Sequence, residues 1–244
     1  MIVFVHGVPE TAALWDGVRS YLDAESVALS LPGFGTPRPA GFGATKDEYV
    51  AWLVAELDAV DGPIDLVGHD WGAALTYRVA TAHGGRLHSW VTDNLSGISP
   101  DYEWHDFAKI WQTPGEGEKF WADQLALPVE ESAAVFEAFG VPHDDAVAMA
   151  GWADETMAGC VLDLYRSAVP NNFATWSEPF APTAAPGLVL VATADPFGDE
   201  AASRQVAGAL GAQVRVLGEY GHWWALQAPA EAAAALTEFH ASID

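Results

Sequence analysis

The sequence is poor in basic residues and in cysteine, and each shortage excludes a class of protein. Only 10 of its 244 residues are Lys or Arg, against 34 Asp or Glu, so the net charge is −24. Nucleic acids and anionic membranes are bound by clustered positive charge, and neither partner is expected. The single cysteine, Cys160, excludes an intramolecular disulfide framework, and its apolar context predicts a packed side chain.

Long hydrophobic runs and cofactor motifs are also missing. No stretch reaches the roughly 18 consecutive apolar residues that cross a bilayer, and the first residues lack the basic region of a signal peptide. A cytoplasmic protein is therefore expected. A monomer or a homodimer is the expected form, and the sequence does not distinguish the two. The sequence has no HExxH motif and no other histidine spacing typical of metals, and His69 is expected to be structural. Gly33-Phe34-Gly35 lacks the rest of a dinucleotide fingerprint, so neither metal nor cofactor is expected.

Short apolar runs alternate with helical patterns along most of the chain, which predicts an α/β fold with a mostly parallel sheet covered on both faces. After about Asn94 the β-runs stop and aromatic residues become dense, so a helical cap is expected after the fourth strand. We expect a core domain of residues 1–95 and 176–244 and a cap of residues 96–175. The predicted strands are 2–5, 27–31, 64–68, 87–92, 187–192 and 214–217, and the predicted cap helices are 101–112, 117–126, 129–139 and 143–168.

One stretch, Leu66-Val67-Gly68-His69-Asp70-Trp71-Gly72-Ala73, joins a predicted strand to a predicted helix. Its Gly-x-Asp-x-Gly pattern has the form of a nucleophile elbow with Asp70 at the tip. The two glycines lack a Cβ, so the strand and the helix can approach closely around a strained turn. An aspartate at the tip disfavours a serine-type esterase. The alternative role for Asp70 is a helix N-cap.

Two further polar groups follow later predicted strands and can reach the elbow. His222 lies in Glu219-Tyr220-Gly221-His222-Trp223-Trp224 after the last strand, and Asp195 comes soon after the fifth. The chain order of nucleophile, acid and histidine is that of a hydrolase triad, in which the acid fixes the histidine tautomer and stabilises the imidazolium. Asp93 also follows a strand and is the alternative acid.

With these residues in place, the chain resembles the epoxide hydrolase and haloalkane dehalogenase branch of the α/β-hydrolase superfamily. The matching pieces are His6-Gly7-Val8-Pro9-Glu10, Gly68-His69-Asp70-Trp71-Gly72-Ala73, Asp195 and Gly221-His222-Trp223. The first strand corresponds to the family's third, so a short core without the first hairpin is expected. The resemblance implies that the backbone N–H groups of Val8 and Trp71 form an oxyanion hole and that the bond before Pro9 is cis.

The resemblance also assigns the cap residues. Val161-Leu162-Asp163-Leu164-Tyr165-Arg166-Ser167 resembles the epoxide hydrolase segment that carries one acidic tyrosine. Phe107 stands where the second tyrosine is expected, which leaves a one-tyrosine site. A halide would instead need N–H donors. Trp71 can give one, and Val8 replaces the usual asparagine. Trp111 or Trp104 is a candidate for the second donor, and the alternative role of these rings is packing or a wall of the pocket.

An aspartate nucleophile defines the expected chemistry. Its carboxylate is ionised at neutral pH and can attack saturated carbon without a base, forming an alkyl ester that a water activated by His222 and Asp195 hydrolyses. The sequence therefore predicts a hydrolase without cofactor or metal that opens a small apolar epoxide to a vicinal diol. Haloalkane or haloacid dehalogenation is the alternative with the same nucleophile. A non-catalytic ligand-binding protein is the alternative from another class.

Overall fold

The computed structural model describes residues 1–176 and 180–243, and these residues form a six-stranded sheet. Every ladder between neighbouring strands is parallel, as predicted. The second strand ends before the predicted Leu31, because the Leu31 N–H donates to His6 Nε2 at 3.1 Å instead of joining the ladder. The strands are β1 (Ile2–Val5), β2 (Ser26–Leu29), β3 (Ile64–Gly68), β4 (Leu87–Asp93), β5 (Gly187–Val191) and β6 (Gln213–Val216).

The strand order is β2-β1-β3-β4-β5-β6. From β1 the chain runs outward to β2 and then returns to the other side of β1 to form β3. Parallel sheets bind ligands beyond the carboxyl ends of their strands at such a change of direction. The turn after β1 and the elbow after β3 meet at this position, so the topology itself places Val8 beside Asp70.

Helices cover both faces of the sheet and the carboxyl ends of the strands. The long predicted helix 143–168 is wrong, because the chain is extended at Ala153 and Asp154, and the Asp154 side chain caps a new helix by accepting from Met157 N–H. The first cap helix begins at Asp106 rather than near 101. The helices are α1 (Asp16–Arg19), α2 (Lys46–Asp58), α3 (Trp71–Ala82), α4 (Asp106–Gln112), α5 (Glu116–Leu125), α6 (Val129–Ala138), α7 (His143–Trp152), α8 (Glu155–Ser167), α9 (Asn172–Thr175), α10 (Glu200–Leu210), α11 (Trp224–Gln227) and α12 (Pro229–Ile243).

Two hydrophobic cores lie on opposite faces of the sheet. Alternate residues of β1 serve both: Val3 and Val5 pack into one core, and Ile2 and Phe4 into the other. All four side chains are buried, as expected for a central parallel strand covered on both faces. This packing fixes the strand ends that carry the polar residues of the site.

Helices α4 to α9 stand between β4 and β5 along the chain and correspond to the predicted cap. The division into a core domain of residues 1–95 and 176–244 and a cap of residues 96–175 stays a prediction. Its second boundary, between residues 175 and 176, lies next to residues 177–179, which are outside the described ranges. Cys160 is buried, as predicted. Within the described ranges, no helix has the length and apolar character that a membrane crossing needs.

Candidate active site

The elbow holds Asp70 in a backbone conformation that side chains rarely adopt. Its φ of 52° and ψ of −118° lie outside the regions allowed for ordinary residues, a strain typical of functional positions. Glycine is required on both sides, because a Cβ at Gly68 would overlap the Gly72 carbonyl and one at Gly72 would overlap the Val5 carbonyl. The Asp70 side chain caps no helix N–H. The strained turn therefore directs its carboxylate toward the cavity.

Two backbone N–H groups stabilise this carboxylate. Val8 N–H donates to Asp70 Oδ1 at 2.8 Å, and the Trp71 N–H also stabilises the carboxylate. The turn that carries Val8 is held by Glu10, whose Oε2 accepts from Gly7 N–H at 2.8 Å, and the Val8–Pro9 bond is cis. These two N–H groups lie where the resemblance places an oxyanion hole.

His222 lies on the other side of the carboxylate. Its Nε2 is 3.8 Å from Asp70 Oδ2, and its Nδ1 is 3.1 Å from Asp195 Oδ2. Asp195 also accepts from Asn94 Nδ2 at 3.0 Å and from the Phe197 N–H at 2.8 Å. The structure therefore brings together Asp70, His222 and Asp195, the three residues that the sequence predicts as nucleophile, base and acid.

The pKa values in this group follow from burial and pairing. Burial opposes the charged form of His222, but the adjacent Asp195 carboxylate outweighs it and raises the pKa of the imidazole. Burial also disfavours the Asp195 anion, yet the His222 partner and its hydrogen bonds lower the pKa of that carboxyl. Burial raises the pKa of Asp70, and the charge on His222 opposes the increase.

Asp93, the alternative acid, has different partners. Its Oδ2 pairs with His69 Nδ1 and accepts from Trp224 Nε1 at 2.6 Å, while its Oδ1 accepts from the Asp70 N–H at 3.1 Å. Asp93 therefore stabilises the elbow through the Asp70 N–H, and the geometry favours Asp195 as the partner of His222.

His69 and Glu10 complete a buried ionic group that the sequence did not suggest. His69 Nε2 lies 3.1 Å from Glu10 Oε1, and both side chains are fully buried. Burial opposes protonation of His69, but Asp93 and Glu10 outweigh it and raise its pKa well above the ordinary value. Glu10, His69 and His222 each offer an atom within 4.8 Å of the others, a spacing that could hold a metal ion. Pairing of His69 with the carboxylates of Glu10 and Asp93 explains why these groups lie together, and no metal ion is needed for it.

A cavity of about 230 Å³ opens above Asp70 and runs beneath the cap. Tyr165 lines it and is 2% exposed, and burial, with the Asp70 charge, raises the pKa of its phenol well above the ordinary range. Phe107 and Trp111 line the cavity as stacked rings with centroids 6.0 Å apart. The predicted residues Val8 and Pro9 also line it, and so does His105, which no sequence pattern indicated.

Comparison with known proteins places this site in a family. A model described as "Alpha/beta hydrolase family" matches residues 2–236. The chain is 34% identical over 114 residues to a haloalkane dehalogenase of Mycolicibacterium smegmatis, covering 43% of this chain and 36% of that protein. It is 30% identical over 97 residues to the coelenterazine h 2-monooxygenase of Renilla reniformis, covering 37% and 30%. The matched stretches thus span about a third of these relatives.

Solved structures match over the whole fold. A haloalkane dehalogenase from Bradyrhizobium elkani has a TM-score of 0.77 at 20% identity, covering 99% of this chain and 90% of that one. A laboratory-evolved potato epoxide hydrolase has a TM-score of 0.79 at 18% identity, covering 99% and 92%. At these identities the likeness establishes the fold, and fold alone does not fix the reaction. Because the family model extends from β1 into α12, the chain belongs to the α/β-hydrolase family.

Proposed function

We propose that the chain is a hydrolase that opens a small apolar epoxide to a vicinal diol through an alkyl ester on Asp70. The observation that carries the proposal is the Asp70 carboxylate, held by the Val8 N–H at 2.8 Å on one oxygen and facing His222 at 3.8 Å with the other. A serine at this position would need His222 to remove its proton, whereas a carboxylate needs no such base for the first step.

In the first step, Asp70 Oδ2 attacks a ring carbon of the epoxide in line with the breaking C–O bond. The electron pair of that bond moves to the ring oxygen, which takes the phenolic proton of Tyr165. The products are an ester on Asp70, a hydroxyl on the adjacent carbon and a Tyr165 phenolate. Oδ1 becomes the ester carbonyl oxygen and keeps the hydrogen bond from the Val8 N–H, and the Trp71 N–H is its second proposed donor.

In the second step, His222 Nε2 takes a proton from water, and the hydroxide attacks the ester carbonyl carbon of Asp70. The charge that develops on Oδ1 is stabilised by the two N–H groups, each of which contributes about 3 kcal/mol in comparable oxyanion holes. Collapse releases the diol and restores the carboxylate. The proton on His222 then returns to the Tyr165 phenolate, so the net reaction is epoxide plus water to diol.

The cavity supports the substrate class. Its aromatic walls suit an apolar molecule, and its volume of about 230 Å³ lies below the roughly 300–1,000 Å³ of sites for drug-sized ligands. Leu127, Val129 and Val135 line the cavity and are partly exposed, which gives it an apolar mouth. A small neutral molecule with an alkyl or aryl substituent fits these surroundings.

Haloalkane dehalogenation is the second candidate, and one observation favours it. Within residues 1–176 and 180–243, the buried Trp111 Nε1 has no hydrogen-bond partner, and Trp111 lines the cavity. A leaving halide needs N–H donors rather than a proton, and such an indole suits it. A screen of styrene oxide and 1-bromobutane, scoring diol and bromide separately, decides between the two leaving groups.

The covalent step is tested by a single turnover with excess enzyme in heavy-oxygen water. The first product molecule is expected to carry unlabelled oxygen, because that oxygen comes from Asp70, and the label enters the enzyme. Labelled diol from the first turnover would show direct attack of water on the epoxide and overturn the ester mechanism.

The role of His222 is tested by His222→Gln. This variant is expected to accumulate an enzyme heavier by the mass of the epoxide, because attack by Asp70 continues while hydrolysis stops. With a substrate that the parent enzyme turns over, absence of this adduct in intact-protein mass spectra would remove His222 from the hydrolytic step. His143→Gln, an exchange at an exposed histidine, is the matched control.

A further inference from the structure

The proposed function leaves the leaving oxygen with one proton donor, Tyr165, since Phe107 has no hydroxyl. His105 lies close to both residues: its ring centroid is 6.2 Å from that of Tyr165 and 6.4 Å from that of Phe107. Its ring lines the main cavity together with Asp70 and His222. A polar ring is therefore present in the wall where the second hydroxyl is missing.

The position of His105 at the start of α4 fixes its tautomer. Its Nδ1 accepts a hydrogen bond from Ala108 N–H at 3.2 Å and so caps the helix. A ring nitrogen that accepts from a backbone N–H carries no proton, so the neutral imidazole has its proton on Nε2. No acceptor for that N–H is found among the described residues. His105 is thus built as a donor at the edge that points away from the helix.

The surroundings of His105 keep the ring neutral. Burial, and next the charge of His222, lower the pKa of its imidazole to about 4. Asp106, Asp195 and Lys109 act on the ring more weakly. Phe197 packs on it with centroids 4.9 Å apart. At neutral pH the ring therefore donates through Nε2–H without carrying a charge into the apolar cavity.

A smaller cavity of about 70 Å³ adjoins the main one, and His105 lines both. Asp70, Tyr165 and His222 also line both cavities, so their junction is the reacting centre. His105 is thus at the point where the nucleophile, the acid and the base face the same space. A side chain that served only to cap α4 would have no need to reach this junction, because Asn or Ser caps a helix with a shorter side chain.

We propose that His105 Nε2–H donates the second hydrogen bond to the epoxide oxygen while Tyr165 transfers its proton to that oxygen. This inference rests on the proposed function. His105 keeps its proton throughout: the C–O electron pair goes to the oxygen, the proton comes from Tyr165, and the imidazole stabilises the developing negative charge. A neutral imidazole acts in this way as an electrophile in triosephosphate isomerase.

The decisive variant is His105→Asn. Asn is a good N-cap, so it preserves the bond to Ala108 N–H, but its shorter side chain gives no donor at the position of Nε2. Formation of the alkyl-enzyme in a rapid-quench single turnover with styrene oxide is expected to slow by about 10- to 100-fold, somewhat less than loss of a main oxyanion donor. Hydrolysis of the preformed alkyl-enzyme is expected to keep its rate, a split that a purely structural role would not give. His143→Asn is the matched control.

Tyr102 is the competing donor, because it lines the smaller cavity with Tyr165. A wild-type rate of adduct formation in His105→Asn overturns the proposal, and it does so whether or not Tyr102→Phe is slow. Equal slowing of adduct formation and hydrolysis in His105→Asn also overturns it, since the residue would then be structural.

A measurement independent of turnover separates this proposal from the proposed function. If neither styrene oxide nor 1-bromobutane yields an adduct or product, the proposed function fails. The donor is then tested by nitrogen-15 NMR of labelled histidines, with His105 identified from the His105→Asn spectrum. We expect a protonated Nε2 at pH 7 whose resonance shifts when N-butylbenzamide, a neutral carbonyl compound, occupies the cavity. Three results overturn the proposal. The first is a proton on Nδ1, and the second is an unshifted Nε2 resonance although intrinsic fluorescence shows that the amide binds. The third is failure of the amide to bind at millimolar concentration.

Discussion

Replacing Asp195 by Asn tests which acid serves His222. Asp195 Oδ2 takes two donors, His222 Nδ1 at 3.1 Å and Asn94 Nδ2 at 3.0 Å, and its Oδ1 takes the Phe197 N–H. An amide has one oxygen and one NH₂ group, so it cannot accept from donors on both sides. Either the NH₂ group faces the Phe197 N–H, or it faces His222 and forces the wrong tautomer. In both cases the negative charge beside the imidazole is lost.

The expected magnitude follows from that loss. The same exchange in a serine protease triad lowers the rate about 10⁴-fold. Here only the second step uses His222, so we expect hydrolysis of the alkyl-enzyme to slow by about 10³- to 10⁴-fold, or about 4–5.4 kcal/mol. Adduct formation is expected to stay within about tenfold of the parent rate. Time-resolved intact-protein mass spectrometry follows both steps, and rapid hydrolysis of the Asp195→Asn adduct would refute the assignment.

Asp93→Asn is the matched comparison at the alternative acid. Asp93 is 2% exposed and faces His69, so its neutralisation leaves a buried cation with Glu10 as its remaining partner. Removing one partner of a buried pair costs about 3–5 kcal/mol of stability. We therefore expect a lower Tm with adduct hydrolysis retained in the folded fraction. The reverse pattern in the two variants would make Asp93 the acid.

Tyr165→Phe is expected to lower epoxide turnover by about 10²-fold or more, while any bromide release survives, because a halide needs no proton; equal losses would contradict the acid role. The rate of adduct hydrolysis is expected to rise with pH through a pKa above 6.5. Burial lowers the pKa of His222, but the neighbouring carboxylate outweighs it, and only the neutral ring accepts the water proton. A rate that falls with pH would count against this base. Gly72→Ala is expected to lower the Tm strongly, since its Cβ would overlap a β1 carbonyl, whereas a Cβ at Gly208 meets nothing within 4 Å; equal melting of the two alanine variants would contradict the steric argument.

The sequence predicted those parts of the molecule that depend on local patterns. The apolar run before the elbow and the glycines at its turn each act over a few residues, and both are present in the structure. The proximity of Asp70, Asp195 and His222 could also be predicted, because residues that follow parallel strands lie at one edge of the sheet.

The buried partners could not be predicted in this way. Glu10, His69 and Asp93 are separated by many residues, and their pairing depends on the side-chain directions at three strand ends. The one available signal was that all three follow neighbouring strands. His105 was missed for a different reason. Its place as the N-cap of α4 depends on where that helix begins, and the predicted start near 101 was wrong.

The charges around the elbow have a consequence for the choice of substrate. Asp70 shares its buried surroundings with two imidazoles and three further carboxyl groups: His69, His222, Glu10, Asp93 and Asp195. In the proposed first step, attack on an uncharged epoxide moves one negative charge from Asp70 to the Tyr165 phenolate and adds none to this surplus of negative charge. A substrate that carries its own carboxylate would add to the surplus, and opposed like charges cost several kcal/mol where water is excluded. On the proposed function, neutral electrophiles are therefore expected to react faster than the corresponding acids.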